Sequence, residues 1–345
     1  MFCIQTGNLP IDLTVNILIF IIGTAILVKG CDIFIDAAAD IARLWGVSEL
    51  VIGLTLVSIG TSLPELASSV YAAFEGQGDF IIGNIVGSNV TNISLILAIG
   101  IIGMGRMPFE KKVLTRDATA MIIVTNICGL LFLLPFQGES KSGSVHGINF
   151  IGGIILLLLC TLYMTILFRE KRPRQEITGS AEEKPEGSHA SNIVPKLMLL
   201  AVSGAMISLG SKGMVDPVIW GAGRLGVSIL VISSTIVSFG TSVPELAVTL
   251  AGIIKKRHDI ALGNIIGSNI FNILLIFGVT SCISPLMVDG KFIGCFNSAM
   301  LEVTAAALLV FMVIGRDHLK RSHGFILLIL YLLFMGANCA AALMR

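Results

Sequence analysis

Long apolar runs alternate with short polar stretches along the chain, and this pattern predicts a bundle of membrane-spanning helices. A helix needs about 20 apolar residues to cross roughly 30 Å of hydrocarbon, and ten runs of that kind are present. Glycine and asparagine interrupt the third and the eighth. The predicted spans are residues 14–40, 49–74, 80–104, 117–136, 147–168, 196–219, 229–254, 260–284, 293–314 and 323–343. We therefore expect an all-α polytopic membrane protein with ten transmembrane helices.

The composition excludes a soluble globular protein. Of the 345 residues, 54% are hydrophobic and only 13% are charged, which is more apolar surface than a soluble core of this length can bury. The net charge of +1 and the scattered basic residues give no reason to expect nucleic acid as a partner. The seven cysteines lack the spacing of a zinc site, so we interpret them as packing residues and expect no cofactor.

The basic residues divide unequally between the two sides of the membrane when ten spans are assumed. Cytoplasmic loops of membrane proteins carry the excess of Lys and Arg. With the amino terminus outside, the inside loops hold 17 of these residues and the outside segments hold four. We therefore expect a plasma (inner) membrane protein with both termini outside and the polar segment 169–195 in the cytoplasm.

Residues 169–195 form a polar linker that divides the chain into two units, residues 1–168 and residues 196–345, each with five predicted helices. Because five is an odd number, the second unit enters the membrane in the opposite direction to the first. Three short motifs also recur at a constant offset of 180 residues: Gly46-Val47-Ser48 with Gly226-Val227-Ser228, Gly83-Asn84 with Gly263-Asn264, and Gly87-Ser88-Asn89 with Gly267-Ser268-Asn269. These features predict an inverted repeat with broken helices at the site, which is typical of secondary transporters.

Each of two apolar runs contains a carboxylate within a nearly identical segment. The segments are GTSLPE at residues 60–65 and GTSVPE at residues 240–245. An ionisable group at membrane depth is costly and indicates a functional site, so we expect Glu65 and Glu245 to act together. Proline has no amide hydrogen, so Pro64 and Pro244 free main-chain carbonyls one turn earlier. The two carboxylates and these carbonyls provide about six oxygen ligands, which suits Ca²⁺.

The motifs GTSLPEL and GNIVGSN, repeated as GTSVPEL and GNIIGSN, resemble the two α-repeats of the sodium/calcium exchangers, within the cation/calcium exchanger superfamily. The resemblance places the repeats at residues 46–104 and 226–284 and implies ten helices around four cation sites. It implies that Ca²⁺ binds Glu65, Glu245 and the main-chain carbonyls of Thr61 and Thr241. The implied Na⁺ ligands are Ser62, Ser88, Ser242 and Ser268 with the carbonyls of Ser58 and Ser238, and Asn92 and Asn272 take the midplane positions.

The resemblance implies exchange of Na⁺ for Ca²⁺ by alternating access, with the lipid bilayer and the two ions as partners and no protein partner evident. Relatives that also transport K⁺ typically carry Asp where this chain has Asn272, so we expect no K⁺ dependence. One Ca²⁺ neutralises two ionised glutamates, whereas the three Na⁺ implied by the family leave an excess positive charge. Exchange should therefore be electrogenic.

Two other functions remain open at this point. Proton/calcium exchangers of the same superfamily also use two acidic residues, although their motifs typically run GN…E. A cation channel would also place acidic residues at mid-depth. An enzyme is not expected, because no nucleophile with a base, nucleotide loop or His/Cys metal set accompanies the glutamates.

Small hydroxyl and amide side chains also have a plain structural interpretation, because they often join helices in membranes. The serines and midplane asparagines above could act in this way. Asparagines beside the motif glycines could either coordinate cations or cap half-helices opened at those glycines, and these are Asn84, Asn89, Asn264 and Asn269.

Charged residues outside the motifs have no predicted part in ion binding. Asp32, Asp36 and Asp40 recur every four residues, which indicates a solvated helix face, with an ion vestibule as the alternative. Lys29 is expected to pair with a nearby aspartate or to extend to the membrane surface. Glu302 has no repeat counterpart and no predicted role.

Overall fold

The chain is helical over most of the residues that the structure, a computed structural model, describes. These are residues 3, 6–44, 59–109, 111, 113–133, 135–136, 145–169, 193–254, 258–287 and 292–343. In chain order, the α-helices of this part are α1 (Leu9–Leu44), α2 (Leu63–Phe74), α3 (Gly78–Thr91), α4 (Leu97–Met104), α5 (Thr119–Leu133), α6 (Phe150–Arg169), α7 (Ile193–Leu225), α8 (Ile229–Ile232), α9 (Ser238–Thr241), α10 (Val243–Ile254), α11 (His258–Phe271), α12 (Gly278–Ile283), α13 (Phe292–Gly315) and α14 (Arg321–Leu343).

Several of these helices are joined by π-helical turns, in which each turn holds one residue more than in an α-helix. The turns are Asn92–Ile96, Val113–Ala118, Ser233–Val237 and Asn272–Phe277. They make α3 continuous with α4, α8 with α9, and α11 with α12. Single π turns inside α-helices occur frequently at functional sites.

Eight helical segments in the described residues are long and apolar enough to cross a membrane. They are Leu9–Phe34, Gly78–Met104, Val113–Leu133, Phe150–Leu167, Val194–Leu225, Ala261–Ile283, Gly294–Gly315 and Arg321–Leu343. The pair Ile229–Thr241 and Val243–Ile254, bent by 42°, would form a ninth. The predicted helix 49–74 lies partly outside the described residues, so the number ten stays a prediction. The fold is that of a polytopic integral membrane protein.

Two of the spanning segments lie at the centre of the molecule. In Gly78–Met104 and in Ala261–Ile283, 83% of the residues in the most apolar stretch are buried, against 17–39% in the other six segments. Helices that are buried on all sides in a membrane protein are shielded from lipid by other helices, and can therefore carry polar side chains. These two segments contain the asparagines that the sequence singled out, together with Ser88 and Ser268.

The longest helices, α1 and α7, pack along each other. They contain 36 and 33 residues, so α1 is about 54 Å long at 1.5 Å per residue and exceeds the thickness of the hydrocarbon. A methyl group on Gly23 would lie 2.5 Å from the main-chain carbon of Gly213, and one on Gly210 would lie 2.5 Å from the nitrogen of Leu27. The two backbones are therefore in direct contact, as in other membrane helix pairs joined through small residues.

Two small antiparallel sheets join distant parts of the chain. In the first, β1 (Arg106–Pro108), which follows α4, pairs with β5 (His318–Lys320), which precedes α14. In the second, β3 (Val145–Ile148) lies between β2 (Pro135–Phe136) and β4 (Leu286–Met287). Both sheets connect the first half of the chain with the second.

The predicted interruption of the third and eighth runs at their glycines is wrong. Helix α3 passes through Gly83 and Gly87 without a break, and α11 passes through the glycines of the second repeat in the same way. A methyl group on Gly83 would collide with the hydroxyl of Ser233, and one on Gly87 would collide with the main chain of Ser234. The glycines therefore bring α3 against the π turn that begins at Ser233, and they do not open the helix.

Candidate functional site

Both glutamates directly follow a break in a helix. Ser62 leaves the helical conformation, with φ −88° and ψ 6°, and α2 begins at the next residue with Pro64 in its first turn. Ser242 has φ −83° and ψ 8° before α10 and Pro244. Proline fits the first turn of a helix, where its missing amide hydrogen has no acceptor to bond. The breaks thus lie within the segments where the prolines predicted them.

Glu65 and Glu245 are fully buried, and each is bonded by the serine of the other motif. The hydroxyl of Ser62 donates to Oε1 of Glu245 over 3.3 Å, and the hydroxyl of Ser242 donates to Oε1 of Glu65 over 3.2 Å. The second oxygen of each carboxylate, Oε2, receives no hydrogen bond from the described residues. The two motifs therefore form one polar centre, in which half of each carboxylate still has acceptor capacity.

The two threonines of the motifs also bond across the centre. Thr61 donates to Oδ1 of Asn264 over 3.3 Å, and Thr241 donates to Oδ1 of Asn84 over 3.3 Å. These asparagines lie inside α3 and α11, so their interpretation as caps of half-helices is wrong. Their amide nitrogens donate to the hydroxyls of Ser68, Ser69 and Thr249. Asn84 and Asn264 thus connect the threonines to the helices that carry the glutamates.

Four more asparagines form two crossed pairs beside this centre. Asn92 donates to Oδ1 of Asn269 over 3.3 Å, and Asn272 donates to Oδ1 of Asn89 over 2.9 Å. Asn89 in turn donates to the main-chain oxygen of Asn269 over 3.2 Å. Asn92 and Asn272 are the first residues of two π turns, so both pairs lie where the central helices change their geometry.

The remaining predicted serines lie in the same region. Ser88 donates to the main-chain oxygen of Ser238 at 3.5 Å, and the hydroxyl of Ser268 lies 3.3 Å from that of Thr61. Ser58 lies outside the described residues. Every other predicted site residue is at most 6% exposed, which places the whole set inside the protein.

Buried oxygens without a hydrogen-bond donor indicate which kind of ligand this centre can bind. Among the described residues, the buried side-chain oxygens that no hydrogen bond reaches are Oε2 of Glu65, Oε2 of Glu245, Oδ1 of Asn92 and Oδ1 of Asn272. A buried acceptor without a donor is destabilising, by about 1 to 3 kcal/mol for a neutral group and more for a charged one. A hard cation such as Ca²⁺ or Na⁺ binds oxygen ligands of these kinds, and carboxylates also supply charge to neutralise it. The donor set therefore fits a small, hard cation.

Comparison with known proteins identifies the family. The sequence profile described as "Sodium/calcium exchanger protein" matches residues 15–169 and 196–339. The chain belongs to this family. It is 35% identical to the sodium/calcium exchanger MaX1 of Methanosarcina acetivorans, over 94% of this chain and 98% of that relative. It is 32% identical to the inner membrane protein YrbG of Escherichia coli, over 83% of this chain and 85% of that protein.

A solved structure gives the same result. The sodium-calcium exchanger NCX_Mj, soaked with 2.5 mM Na⁺ and 10 mM Sr²⁺, superposes with a TM-score of 0.60 and is 29% identical, over 94% of this chain and 99% of that chain. The resemblance predicted from the two GTSxPE motifs is therefore confirmed. The chain is an integral membrane protein of the sodium/calcium exchanger family, whose members transport ions.

Sequence reasoning left the role of several polar residues in this exchanger undecided or missed it. Four asparagines bond the predicted ligands, and their recurrence at an offset of 180 was the available signal; they are Asn84, Asn264, Asn89 and Asn269.

A second buried network was not predicted at all, because its members do not recur in the other half of the chain. It joins Ser234, Asn297 and Asn338, and Asn338 donates to Oδ1 of Asn297 over 2.9 Å.

Two ion pairs involve charged residues outside the motifs. The Lys29 ammonium lies 4.0 Å from the Asp32 carboxylate, with both side chains more than half exposed, and Lys196 lies 2.8 Å from Asp40. These contacts fit the interpretation of a solvated helix face. Glu302 is half-buried on α13, and its Oε1 would lie 3.1 Å from a methyl group on Gly129 of α5.

Proposed function

We propose that this protein exchanges Na⁺ for Ca²⁺ across the membrane and that Glu65 and Glu245 form the centre of a shared cation site. The observation that carries this proposal is the reciprocal pair of hydrogen bonds from Ser62 to Glu245 and from Ser242 to Glu65. Two carboxylates held at one buried point, each with an oxygen that lacks a donor in the described residues, would repel each other without a cation between them.

The proposed ligands are those that the resemblance to the sodium/calcium exchangers implies, and the two glutamates among them have an oxygen without a hydrogen-bond donor in the described residues. Ca²⁺ would bind the carboxylates of Glu65 and Glu245 and the main-chain carbonyls of Thr61 and Thr241. Two carboxylates balance its charge, which lowers the cost of holding them in a low dielectric. Na⁺ would bind where the field is weaker, at the hydroxyls of Ser62, Ser88, Ser242 and Ser268 and the carbonyls of Ser58 and Ser238, with Asn92 and Asn272 at the midplane between the glutamates.

We propose that the two halves, residues 1–168 and residues 196–345, are inverted repeats of five helices each and work by alternating access. The central helices and the two GTSxPE segments would form a fixed ion-binding core. Helices α1 and α7 would move past this core as one body. Their backbone contact at Gly23 and Gly213 supports a rigid pair, because helices packed this closely cannot easily slide independently.

The charge of the site makes the proposed exchange electrogenic. One Ca²⁺ balances two glutamates, whereas three Na⁺ carry one further positive charge across the membrane in each cycle. Asn272 contributes no charge, so the site has no third carboxylate to attract an additional K⁺. We therefore propose exchange that moves net charge and does not require K⁺.

The proposed orientation follows from the distribution of Lys and Arg. Seventeen of them lie in predicted inside loops and four in outside segments, which favours both termini outside and residues 169–195 in the cytoplasm. The relative YrbG is named an inner membrane protein, which supports the plasma (inner) membrane as the location.

The experiment that tests the proposal is Ca²⁺ uptake by lipid vesicles that contain the purified protein. Vesicles loaded with Na⁺ are diluted into Na⁺-free buffer with radioactive Ca²⁺. Uptake should require the outward Na⁺ gradient and should be lost in Glu65→Gln and in Glu245→Gln. Glu302→Gln is the matched control, because it makes the same change on a spanning helix outside the two motifs and should keep full uptake.

Other outcomes would identify other functions. Uptake that an imposed proton gradient drives without Na⁺ would support a proton/calcium exchanger. Uptake that needs no counter-gradient at all would support a channel. If Glu65→Gln and Glu245→Gln transport as well as the unaltered protein, the proposed site is wrong.

A further inference from the structure

The carboxamides of Asn92 and Asn272 can serve a cation in only one of their two orientations. A carboxamide presents an oxygen that accepts and a nitrogen that donates two hydrogens. The oxygen can bind a cation, whereas the nitrogen would repel it. In the described residues, Oδ1 of both side chains lacks a hydrogen-bond donor, although both residues are fully buried. The orientation of these two groups must therefore be determined on their nitrogen side.

We propose that Asn89 and Asn269 are positioning residues, which fix the carboxamides of Asn272 and Asn92 with their oxygens available to the transported cations, and that Met121 orients Asn269. This inference rests on the proposed function, because it takes Asn92 and Asn272 to lie in the cation site. Neither positioning residue would contact a cation itself. Each would act through the partner to which it is bonded.

The orientation of Asn272 follows from a main-chain carbonyl. The side chain of Asn89 lies 3.2 Å from the main-chain oxygen of Asn269, and that oxygen can only accept, so Asn89 must present its nitrogen there. Oδ1 of Asn89 then faces the side chain of Asn272, 2.9 Å away. Asn272 must donate to it with Nδ2, which leaves its own Oδ1 on the other side.

The orientation of Asn92 follows from a thioether. The side-chain nitrogen of Asn269 lies 3.8 Å from Sδ of Met121, on α5, which is a normal distance for a hydrogen bond to sulfur. A thioether has no hydrogen to donate, so only the nitrogen of Asn269 can face it. Oδ1 of Asn269 then accepts from Nδ2 of Asn92 over 3.3 Å, and Oδ1 of Asn92 is again left available.

Burial restricts these carboxamides to one orientation each. Asn89 and Asn269 are at most 1% exposed and Met121 is 1% exposed, so solvent has little access to groups whose partner is lost. If Asn272 turned over, its oxygen would face the oxygen of Asn89 and its nitrogen would point toward the cations. Two like atoms in contact in a low dielectric, together with a donor facing a cation, would weaken cation binding.

The pairing is crossed, and this provides a sharp test. Asn89 is bonded to Asn272 and Asn269 to Asn92, although Asn89 and Asn92 are neighbours on one helical segment. Removing Asn89 should therefore matter only while Asn272 is present. The same substitution combined with a change of Asn92 serves as a matched control, because it removes one member of each bonded pair instead of both members of one pair.

The experiment uses the full-length protein with Asn89→Ala, Asn269→Ala, Asn92→Ala and Asn272→Ala, alone and in pairs. The concentrations of Ca²⁺ and Na⁺ at half-saturation are measured twice, by vesicle flux and by thermal stabilisation in detergent. We expect Asn89→Ala to raise the half-saturating concentration by about tenfold, with a smaller change in maximal rate per folded protein. The double variant Asn89→Ala with Asn272→Ala should bind the cations no more weakly than Asn272→Ala alone. Likewise, Asn269→Ala with Asn92→Ala should bind them no more weakly than Asn92→Ala alone. In the control pair, Asn89→Ala with Asn92→Ala, the two effects should multiply.

Met121→Leu is the second variant and serves also if the alanine variants do not fold. It conserves volume and removes only the sulfur acceptor, so the cation concentration at half-saturation should rise several-fold. When Asn92 is already alanine, Met121→Leu should cause no further rise. Met312→Leu is its control, at an equally buried position on α13, and should have no effect.

The outcomes separate the two proposals. If the unaltered protein shows neither Na⁺-dependent Ca²⁺ flux nor stabilisation by either cation, the proposed function fails and this inference fails with it. If the unaltered protein binds and transports the cations but the effects of the two substitutions multiply in every double variant, only the inference is overturned. Unchanged half-saturation in Met121→Leu overturns the role of Met121.

Discussion

The hydroxyl of Ser242 lies 3.2 Å from Oε1 of Glu65, a residue 177 positions earlier in the chain. Ser62 stands in the same relation to Glu245. Neither carboxylate is therefore positioned by its own motif alone, and each half of the chain supplies a donor for the acid of the other. The site is shared at the level of single hydrogen bonds.

Loss of either serine hydroxyl should weaken cation binding. In Ser62→Ala and Ser242→Ala, one carboxylate loses a hydrogen bond of the charged kind, which contributes about 1.5 to 3 kcal/mol. The Na⁺ concentration at half-maximal flux should rise about tenfold or more, since the hydroxyl is also a proposed Na⁺ ligand. Ser281→Ala is the control, because the Ser281 hydroxyl donates only to two main-chain carbonyls of its own helical segment in the described residues. Equal effects of all three changes would contradict the prediction.

Acid should inhibit exchange by competition. A proton on Glu65 or Glu245 removes a negative charge that both cations need, so flux should fall as the pH is lowered from neutral. Because proton and Ca²⁺ compete for one site, the Ca²⁺ concentration at half-maximal rate should rise while the rate at saturating Ca²⁺ changes little. Initial rates over a Ca²⁺ series at several pH values, without a pH gradient, measure this. A fall in maximal rate at constant half-saturation would argue against protonation at the site.

Membrane potential should alter the rate. With Na⁺ inside the vesicles and Ca²⁺ outside, each proposed cycle carries net positive charge outward, so an inside-positive potential should accelerate Ca²⁺ uptake. An inside-negative potential should slow it. The potential can be imposed with a K⁺ gradient and valinomycin, and uptake without valinomycin should be the same in K⁺ and in choline buffer. Uptake that ignores the potential would exclude the proposed charge imbalance.

A methyl group at Gly23 should separate α1 from α7. The main chain of Gly213 leaves no room for it, and overpacking of this kind costs about 1 to 3 kcal/mol. Gly23→Ala should therefore lower the melting temperature in detergent and slow transport. In Gly204→Ala, on α7, the added methyl group would meet nothing within 4 Å, so the change should leave stability unchanged or raise it slightly. If both variants melt at the same temperature, the close contact does not contribute to stability.

The helices were predictable because crossing a bilayer demands a long apolar run, whatever the neighbours are. The ends of the helices were less predictable. Helix α1 begins at Leu9 instead of residue 14, and α7 ends at Leu225 instead of residue 219. Polar residues can continue a helix beyond the hydrocarbon without any apolar signal. The helix breaks at Ser62 and Ser242 were predictable for a different reason, since proline acts on its own chain.

The meeting of the two GTSxPE motifs was predictable from their repetition, but the individual side-chain partners between segments were not. Gly83 and Gly87 were interpreted as helix breaks, but the surfaces packed against them decide their effect, and those belong to residues far along the chain. The partners of Asn89 and Asn269 depend in the same way on which faces of α3 and α11 meet. The repeat offset of 180 residues indicated that these asparagines matter, but it does not specify to which side chain each is bonded.

The shared hydrogen bonds also have a consequence for biogenesis. The ribosome makes Glu65 long before Ser242, so the first glutamate enters the bilayer without its donor from the second half. Insertion of the second half would then complete the proposed set of ligands, so the protein would bind ions at this site only after the two halves dock. Assembly of the two halves, in addition to insertion of each helix, is thus the step that would complete the proposed cation site.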